Sequence, residues 1–251
     1  MAGFERRREI WEREQLELAK KVVLSDVFDW RVTGVHGDVE TTLQRVAGFD
    51  ISFVEGSEED ACASMVVCSF PEMKVLCAIV HMIKLDMPYI PGFLGFRECP
   101  AFQKLYEDLK DARPDLLPQL LLIDGNGVLH SRGCGQASHL GILLDLPSIG
   151  AAKTFFHVDG MSTDSIRKRI KEQPLAPSTW LPLVGQSGRT WGAALVGAEG
   201  STNPIFVSPG HKISLETATE IVKRCCIHRV PEPIRQADLR SREYLRNLYK
   251  P

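Results

Sequence analysis

Residues 45–54, RVAGFDISFV, decide the fold. Phe49, Ile51 and Phe53 alternate with smaller or polar residues, which is the two-residue period of a strand. Asp50 therefore points to the opposite face from Phe49 and Ile51, although both its neighbours are apolar. Two further β-rich runs follow, ACASMVVCSF (61–70) and MKVLCAIVHMIKL (73–85), with a turn at Pro71–Glu72 between them. Three such runs in succession predict an antiparallel meander at the start of the domain.

Working outward, a Pro-rich bend, MPYIPG (87–92), leads to Glu98 and a helix. Pro100 suits the first turn of that helix, and Phe102, Leu105, Tyr106 and Leu109 keep helical spacing. Glu98 is thus expected at its entrance. LPQLLLID (117–124) reads as a short buried strand with Asp124 at its C-terminal end, where ligands gather in α/β sheets. The glycine-dense GNGVLHSRGCGQ (125–136) feeds a helix through LGILLDL, and SIGAAKTFF (148–156) reads as a small-residue strand. Residues 157–190 read as looser chain holding one short helix, SIRKRIKE, and turns. WGAALVGA (191–198) and PIFVSPGH (204–211) are strands, and SLETATEIVKRCC is a long helix capped by Ser214. At the front, residues 4–30 read as a charged amphipathic helix, with Ile10, Leu16, Leu18 and Val22 among its apolar positions.

Composition narrows the function classes. The chain has 251 residues, 44% hydrophobic and 25% charged, which is ordinary globular composition and large enough for one α/β domain, 1–251. The start is too charged (ERRREIWERE) for a secretory leader, and no apolar run reaches a membrane span of roughly 20 residues. Seven cysteines without a C-x-x-C pair predict free thiols in a reducing compartment. A monomer in the cytoplasm, with a nuclear or nucleolar fraction, is the expectation. Net charge is −2, yet residues 223–251 carry eight Lys/Arg against three acids, a local basic face suited to phosphate. No G-x-S-x-G or P-loop pattern is present, which removes the common hydrolase and nucleotide-triphosphatase readings.

Asp50, Glu98 and Asp124 are the residues most suited to chemistry, because carboxylates at strand ends beside glycine turns hold hard divalent cations. Singly, each could as well cap a helix or face water. Asp238 in RQADLR is a possible further ligand, or the partner of Arg235 or Arg242 on a helix. Lys153 either snorkels to the surface or points at an anion near Asp124. Tyr89, between Pro88 and Pro91, is a stiff ring that could wedge into a base stack or anchor its loop. Gly92, Gly125, Gly127, Gly133 and Gly135 permit close backbone approach to a ligand. His130 reads as a phosphate donor or loop brace, since the spacing of His130, His139 and His211 matches no zinc finger.

PYIPGFLGFRE (88–98), LLIDGNGVLHSRGCGQASHLG (121–141), IGAAKT (149–154) and PEPIRQADLRSR (231–242) together resemble the endonuclease V family, in particular its mammalian form. The resemblance spans residues 45–242. It implies a ribonuclease-H-like fold, a mixed central sheet flanked by helices, and a nuclease that cuts one nucleotide 3′ of inosine, leaving 5′-phosphate and 3′-hydroxyl. It implies Asp50, Glu98, Asp124 and Asp238 as ligands of Mg²⁺, or of Mn²⁺ in its place, and Lys153 at the scissile phosphate. It further implies Tyr89 as a wedge, with Gly92, Leu94, Gly135 and Gln136 lining a base pocket largely through backbone groups. Likeness to the mammalian form implies inosine-bearing RNA as the partner. DNA containing deoxyinosine, or inosine binding without cutting, are the alternatives. Ser131, where the family often has Pro, and Gln136, where a smaller apolar residue is frequent, alter the pocket and not the acidic set.

Overall fold

Every strand long enough to build a core joins one eight-stranded mixed sheet, shown by a computed structural model that describes residues 2–33, 40–172, 175, 179–196 and 203–249. In chain order the elements are α1 (Ala2–Ala19), a ribbon of β1 (Val32–Thr33) and β2 (Glu40–Thr41), then β3 (Arg45–Phe53), β4 (Asp60–Ser69) and β5 (Val75–Lys84). Then come α2 (Leu94–Ala112), β6 (Leu120–Ile123), α3 (Gln136–Leu144), β7 (Ser148–Ala152) and α4 (Thr163–Glu172). The chain continues with β8 (Trp180–Val184), β9 (Thr190–Leu195), β10 (Ile205–His211), α5 (Leu215–Cys225) and α6 (Glu232–Leu248). The sheet order is β5-β4-β3-β6-β7-β10-β9-β8.

The expected meander is present: β3, β4 and β5 pair antiparallel, while β3, β6 and β7 run parallel. This is the ribonuclease-H-like arrangement. Alternation along the strands sorts side chains to two faces. Ala47, Phe49, Leu121 and Ile123 pack with Cys99, Phe102, Leu105 and Leu109 of α2 and with Ala137 and Leu140 of α3. Val46, Leu120, Leu122, Ile149 and Ala151 pack on the other face with α5 and α6. β4 is covered on both sides and reads as a nearly continuous apolar run for that reason. Gly48 belongs to the α6 face, where a Cβ would collide with the Pro233 carbonyl; the missing side chain lets α6 settle directly on β3.

Several boundaries differ from the sequence reading. α1 ends at Ala19, and residues 22–31 cross the surface as a strap. Asp26 ties the strap down by accepting from Ser214 N and Thr217 Oγ1, and Val27 N donates to the Lys212 carbonyl. The buried face of α1 is Trp11 and Gln15, one turn apart, whereas Ile10 and Leu16 are exposed. α2 starts at Leu94, so Pro100 lies inside the helix and Glu98 in its second turn, not at its entrance. Trp11, Ile90, Phe93 and Phe96 form an apolar cluster at that start, and it draws LGFRE into the helix despite Gly95. β7 stops at Ala152, which leaves Lys153 just beyond the strand. Residues 157–190 hold the short helix α4 and also β8, an edge strand not foreseen. β9 ends at Leu195, and the last two residues of the strand expected over 191–198 lie outside the described residues. Ser214 caps α5 by accepting from Thr217 N at 3.2 Å, as expected.

Candidate active site

The parity that sorts the core also aims the acids. Val46 and Gly48 face α6, so Asp50 does too; Leu120 and Leu122 precede Asp124 on that face, and Ile149 and Ala151 precede Lys153. The registers Phe49↔Ile123 and Ile123↔Gly150 put the C-terminal ends of these parallel strands side by side. Helix α6 then brings Asp238 over Asp50, and α2 delivers Glu98 from the opposite layer.

Each carboxylate has a partner. Asp50 accepts from Ser241 Oγ of α6 at 3.1 Å and from Ser52 Oγ at 3.4 Å. Lys153 Nζ lies 2.6 Å from Asp124 Oδ2, so the lysine points at the acids and does not snorkel away. Arg242 Nε donates to Asp238 Oδ1 at 2.7 Å, while Arg235 pairs with Glu232. Gln136 Nε2 donates to Glu98 Oε2 at 2.7 Å, so Gln136 touches the acidic set directly, against the expectation that it alters the pocket alone; α3 and α2 pack side by side and bring the two side chains together. Burial, aided by the charges of Asp238 and Asp124, pushes the Asp50 carboxyl up to about 6. Burial, aided by Asp50 and Asp124, pushes Glu98 up to about 7. The ammonium of Lys153 is raised: Asp124, Asp50 and Asp238 outweigh its own desolvation. Asp50 and Asp124 are thus coupled to Glu98 on one side and, with Asp238, to Lys153 on the other.

These residues fit a hard divalent cation by donor type and by charge. Asp50, Asp124 and Asp238 are set against Lys153 and the outward-lying Arg242, and Glu98 against Arg97; even so, the two most buried of these acids are hard to ionise without more positive charge. They do not close into the four-ligand set expected around one ion. Among the described residues no three His, Cys, Asp or Glu side chains are gathered into a ready cage. Mg²⁺ takes one or two carboxylates and keeps several waters, so its site need not be such a cage.

Beside the acids lies a pocket of about 140 Å³ lined by Gln15, Tyr89, Gly92, Leu94, Gly125, His130, Gly135 and Gln136, with Gly95, Asn126 and Phe156. It holds seven of the nine residues expected to approach a ligand; Gly133, at φ +67°, lies outside it and serves the turn of the loop. Gly127 also lies outside: a Cβ there would collide with the Pro209 carbonyl of β10, and the residue serves close packing. Gly92 sits at φ +83° with Arg132 and His130 over it, a position only glycine takes without strain. His130 is 4% exposed, stacks on Phe156 at 4.8 Å and is pushed down to about 4 by burial and by Arg132. It is neutral at physiological pH and braces the loop by accepting from Arg132 N at 3.2 Å. Tyr89 is 59% exposed at the rim. Of the other histidines, His139 packs edge-on against Phe96, and His211 accepts from Val23 N of the strap. Gln15, Asn126 and Phe156 were not anticipated in the pocket, because only the fold brings them there.

On the other side Asp50, Lys153 and Asp238 open into a larger cleft of about 1130 Å³, lined also by Phe53, Arg242, Arg246 and Tyr249. An acidic centre between a ring-sized pocket and a wide cleft with basic and aromatic walls defines a nuclease of the ribonuclease-H-like class.

Comparison with known proteins narrows this. The endonuclease V family model matches residues 18–239. Mouse endonuclease V is 46% identical over 237 residues, covering 94% of this chain and 69% of the mouse protein. The crystal structure of human endonuclease V superposes with a TM-score of 0.86 at 42% identity, over 96% of this chain and 98% of that one. A variant of the Ciona intestinalis enzyme, in complex with a 23mer DNA containing an inosine followed by a ribo-adenosine, gives 0.87 at 37% identity, over 97% and 98%. The chain belongs to the endonuclease V family, and so to the endonucleases that hydrolyse phosphodiester bonds in nucleic acid.

Proposed function

We propose that this protein cuts single-stranded RNA at the phosphodiester one nucleotide 3′ of an inosine, leaving a 5′-phosphate and a 3′-hydroxyl. The observation that carries the proposal is the 2.7 Å hydrogen bond from Gln136 to Glu98, which joins the ring-sized pocket to the acidic cluster. A base seated in the pocket leaves its neighbouring phosphates near Asp50, Asp124 and Lys153.

Inosine presents an acceptor at O6 and a donor at N1, the reverse of adenine at N1. Backbone N–H and C=O groups around Gly92–Leu94 and Gly135–Gln136 can read that pattern. Adenine would leave buried groups unpaired, at about 1–3 kcal/mol each. Turning a base out costs a few kcal/mol, least in a strand already single. Tyr89, exposed at the rim, is placed to fill the gap left behind.

Asp50, Glu98, Asp124 and Asp238 would hold Mg²⁺ or Mn²⁺ directly or through water, and a bound ion supplies Lewis-acid stabilisation of the phosphate and an activated water. Lys153 supplies a fixed positive charge at the scissile phosphate, where it steadies oxygens as charge develops. Ser241 and Ser52 hold the Asp50 carboxylate in one orientation. The reaction needs no Ser or Cys nucleophile, and the cysteines, all free, lie in or against the core.

The RNA reading takes its motive from the ribo-adenosine that follows the inosine in the Ciona complex, since a 2′-hydroxyl is what distinguishes RNA from DNA. DNA bearing deoxyinosine is the second reading, favoured by the DNA strand of that same complex. Matched single-stranded oligonucleotides test both. Each carries inosine or adenosine at one position, as RNA and as DNA, and is incubated with Mg²⁺ or chelator. Expected is Mg²⁺-dependent cutting of the inosine RNA alone, abolished by Asp50→Ala and by Asp124→Ala while inosine binding persists. Equal cutting of inosine and adenosine strands, or undiminished activity in either variant, overturns the proposal.

A further inference from the structure

Gln15 lies on α1, outside the residues matched by the family model, and is 3% exposed. A carboxamide buried that deeply is tolerated only when its donors and acceptor are satisfied. Its partners come from far along the chain. Nε2 donates to the Gly92 carbonyl at 3.1 Å and to the Cys134 carbonyl at 2.6 Å. Oε1 accepts from Arg132 Nε, and Arg132 Nη2 donates to the same Gly92 carbonyl at 2.9 Å. The Arg132 guanidinium is fixed in turn over the Phe93 ring, 4.2 Å from its centroid.

One carbonyl belongs to Gly92 in one wall of the base pocket, and the other to Cys134, the residue immediately before the facing wall. Gly92 leads into Leu94 and Gly95 on one side; Cys134 leads into Gly135 and Gln136 on the other. One side chain thus spans both walls with one nitrogen and lines the pocket between them. Docking of α1 does not need it, because Trp11 stacks on Phe96 at 5.2 Å and packs with Ile90 and Phe93. We propose that Gln15 is a positioning residue that fixes the separation of the two backbone walls, and with it the discrimination between inosine and other bases. This rests on the reading that the pocket receives the extruded base. Backbone recognition has no side-chain rotamer to adapt, so its selectivity depends on how rigidly the walls are held, and small displacements are costly.

Two variants test it. Gln15→Met keeps length and apolar packing but removes all three hydrogen bonds. Gln15→Glu keeps length and the Arg132 contact, so α1 stays in place, while the two donors to the walls are lost. Affinity for a single-stranded RNA with one inosine, and for its adenosine counterpart, is read by fluorescence anisotropy in chelator; KM and kcat are read with Mg²⁺. Both variants are expected to lose about tenfold in inosine-over-adenosine preference, as for one to two lost hydrogen bonds. KM should rise in step, while kcat at saturation stays within about threefold. Wild-type preference in a folded Gln15→Glu overturns the clamp and leaves the base-pocket reading standing. A fall in kcat with KM and preference unchanged also overturns it. Wild-type protein that binds both strands alike overturns the pocket reading and the clamp together.

Discussion

Replacing Glu98 by Gln should make the metal-free protein more stable, and increasingly so as pH rises. The Glu98 carboxyl lies behind α2, 9% exposed, and its value is pushed from the ordinary 4.5 to about 7, first by burial and then by the charges of Asp50 and Asp124. Between those two values the folded chain keeps a proton that the unfolded chain has released. Folding stability therefore falls as pH rises through this window and is lowest above pH 7. The full effect of such a displacement is about 3 kcal/mol. Glu98→Gln keeps the shape, still accepts from Gln136 Nε2, and never ionises. At pH 5 variant and wild type should melt within a degree or two of each other; at pH 8 the variant should melt higher by up to about 6–12 °C, at 2–4 °C per kcal/mol for a chain of this size. His130 and His139, both pushed down to about 4 by burial, act with the opposite sign between pH 4 and 6.5, but they are common to both proteins and cancel in the difference. The assay is thermal unfolding by circular dichroism in chelator at pH 5, 6, 7 and 8, repeated with millimolar Mg²⁺. Mg²⁺ should raise the wild-type midpoint at pH 8 and shift the variant less. A difference that does not change with pH, or a variant less stable than wild type at pH 8, refutes the argument that this carboxylate is strained by its own neighbours.

Three further outcomes follow from the same geometry. Gly48→Ala should destabilise by about 1–3 kcal/mol or more, because the methyl meets the Pro233 carbonyl and must push α6 away; denaturant unfolding and strand cutting should fall together. Lys153→Ala should lower kcat by about 10²–10³ through loss of a charge at the phosphate. Its side chain is 39% exposed, so its ion pair with Asp124 contributes under about 1 kcal/mol and the melting temperature should hardly move. Tyr89→Ala should leave stability unchanged, the ring being 59% exposed, while weakening binding of an inosine strand by about 1–3 kcal/mol, read by anisotropy.

The sheet was legible because alternation is a local property. Phe49, Ile51 and Phe53 announce a strand without reference to anything distant, and β4 and β5 announce theirs by length and composition. Helix starts were less legible. The Phe93–Phe96 segment looks like loop from its glycines, and only contact with Trp11, more than eighty positions earlier, makes a helix from Leu94 the better arrangement. β8 was hidden for a similar reason. Leu181 and Leu183 are buried against the cluster containing Phe155 and Phe206, but two alternating leucines among prolines are too short a signal to stand alone. The acids Asp50 and Asp124 could be read as candidates for one site, since Asp124 follows the end of its strand and Asp50 lies in β3 on the face opposite Phe49. The polar residues that complete the site could not: Ser241 on Asp50, Gln136 on Glu98 and Gln15 between the pocket walls all lie on helices, and nothing in helical periodicity says which of them will face a pocket.

Asp238 shows how far such reasoning goes and what completes it. On spacing alone it could pair with Arg235 or Arg242 or serve as a further ligand; its carboxylate is held by Arg242 at 2.7 Å, and its charge helps to raise Asp50. Both outcomes depend on the height at which α6 lies over β3. That height is set by Gly48 against Pro233 at the start of the helix, and Ser241 then reaches Asp50 three residues beyond Asp238. A glycine two residues before the aspartate in RVAGFDISFV is consequently part of the site, though it carries no side chain and lies in the core. Had α6 rested on a methyl there, Ser241 would stand away from Asp50, and the carboxylate would lose the hydrogen bond that favours its ionised form. Close approach of backbone to backbone, invisible in composition, is thus what converts acids on a strand and a helix into a coupled group.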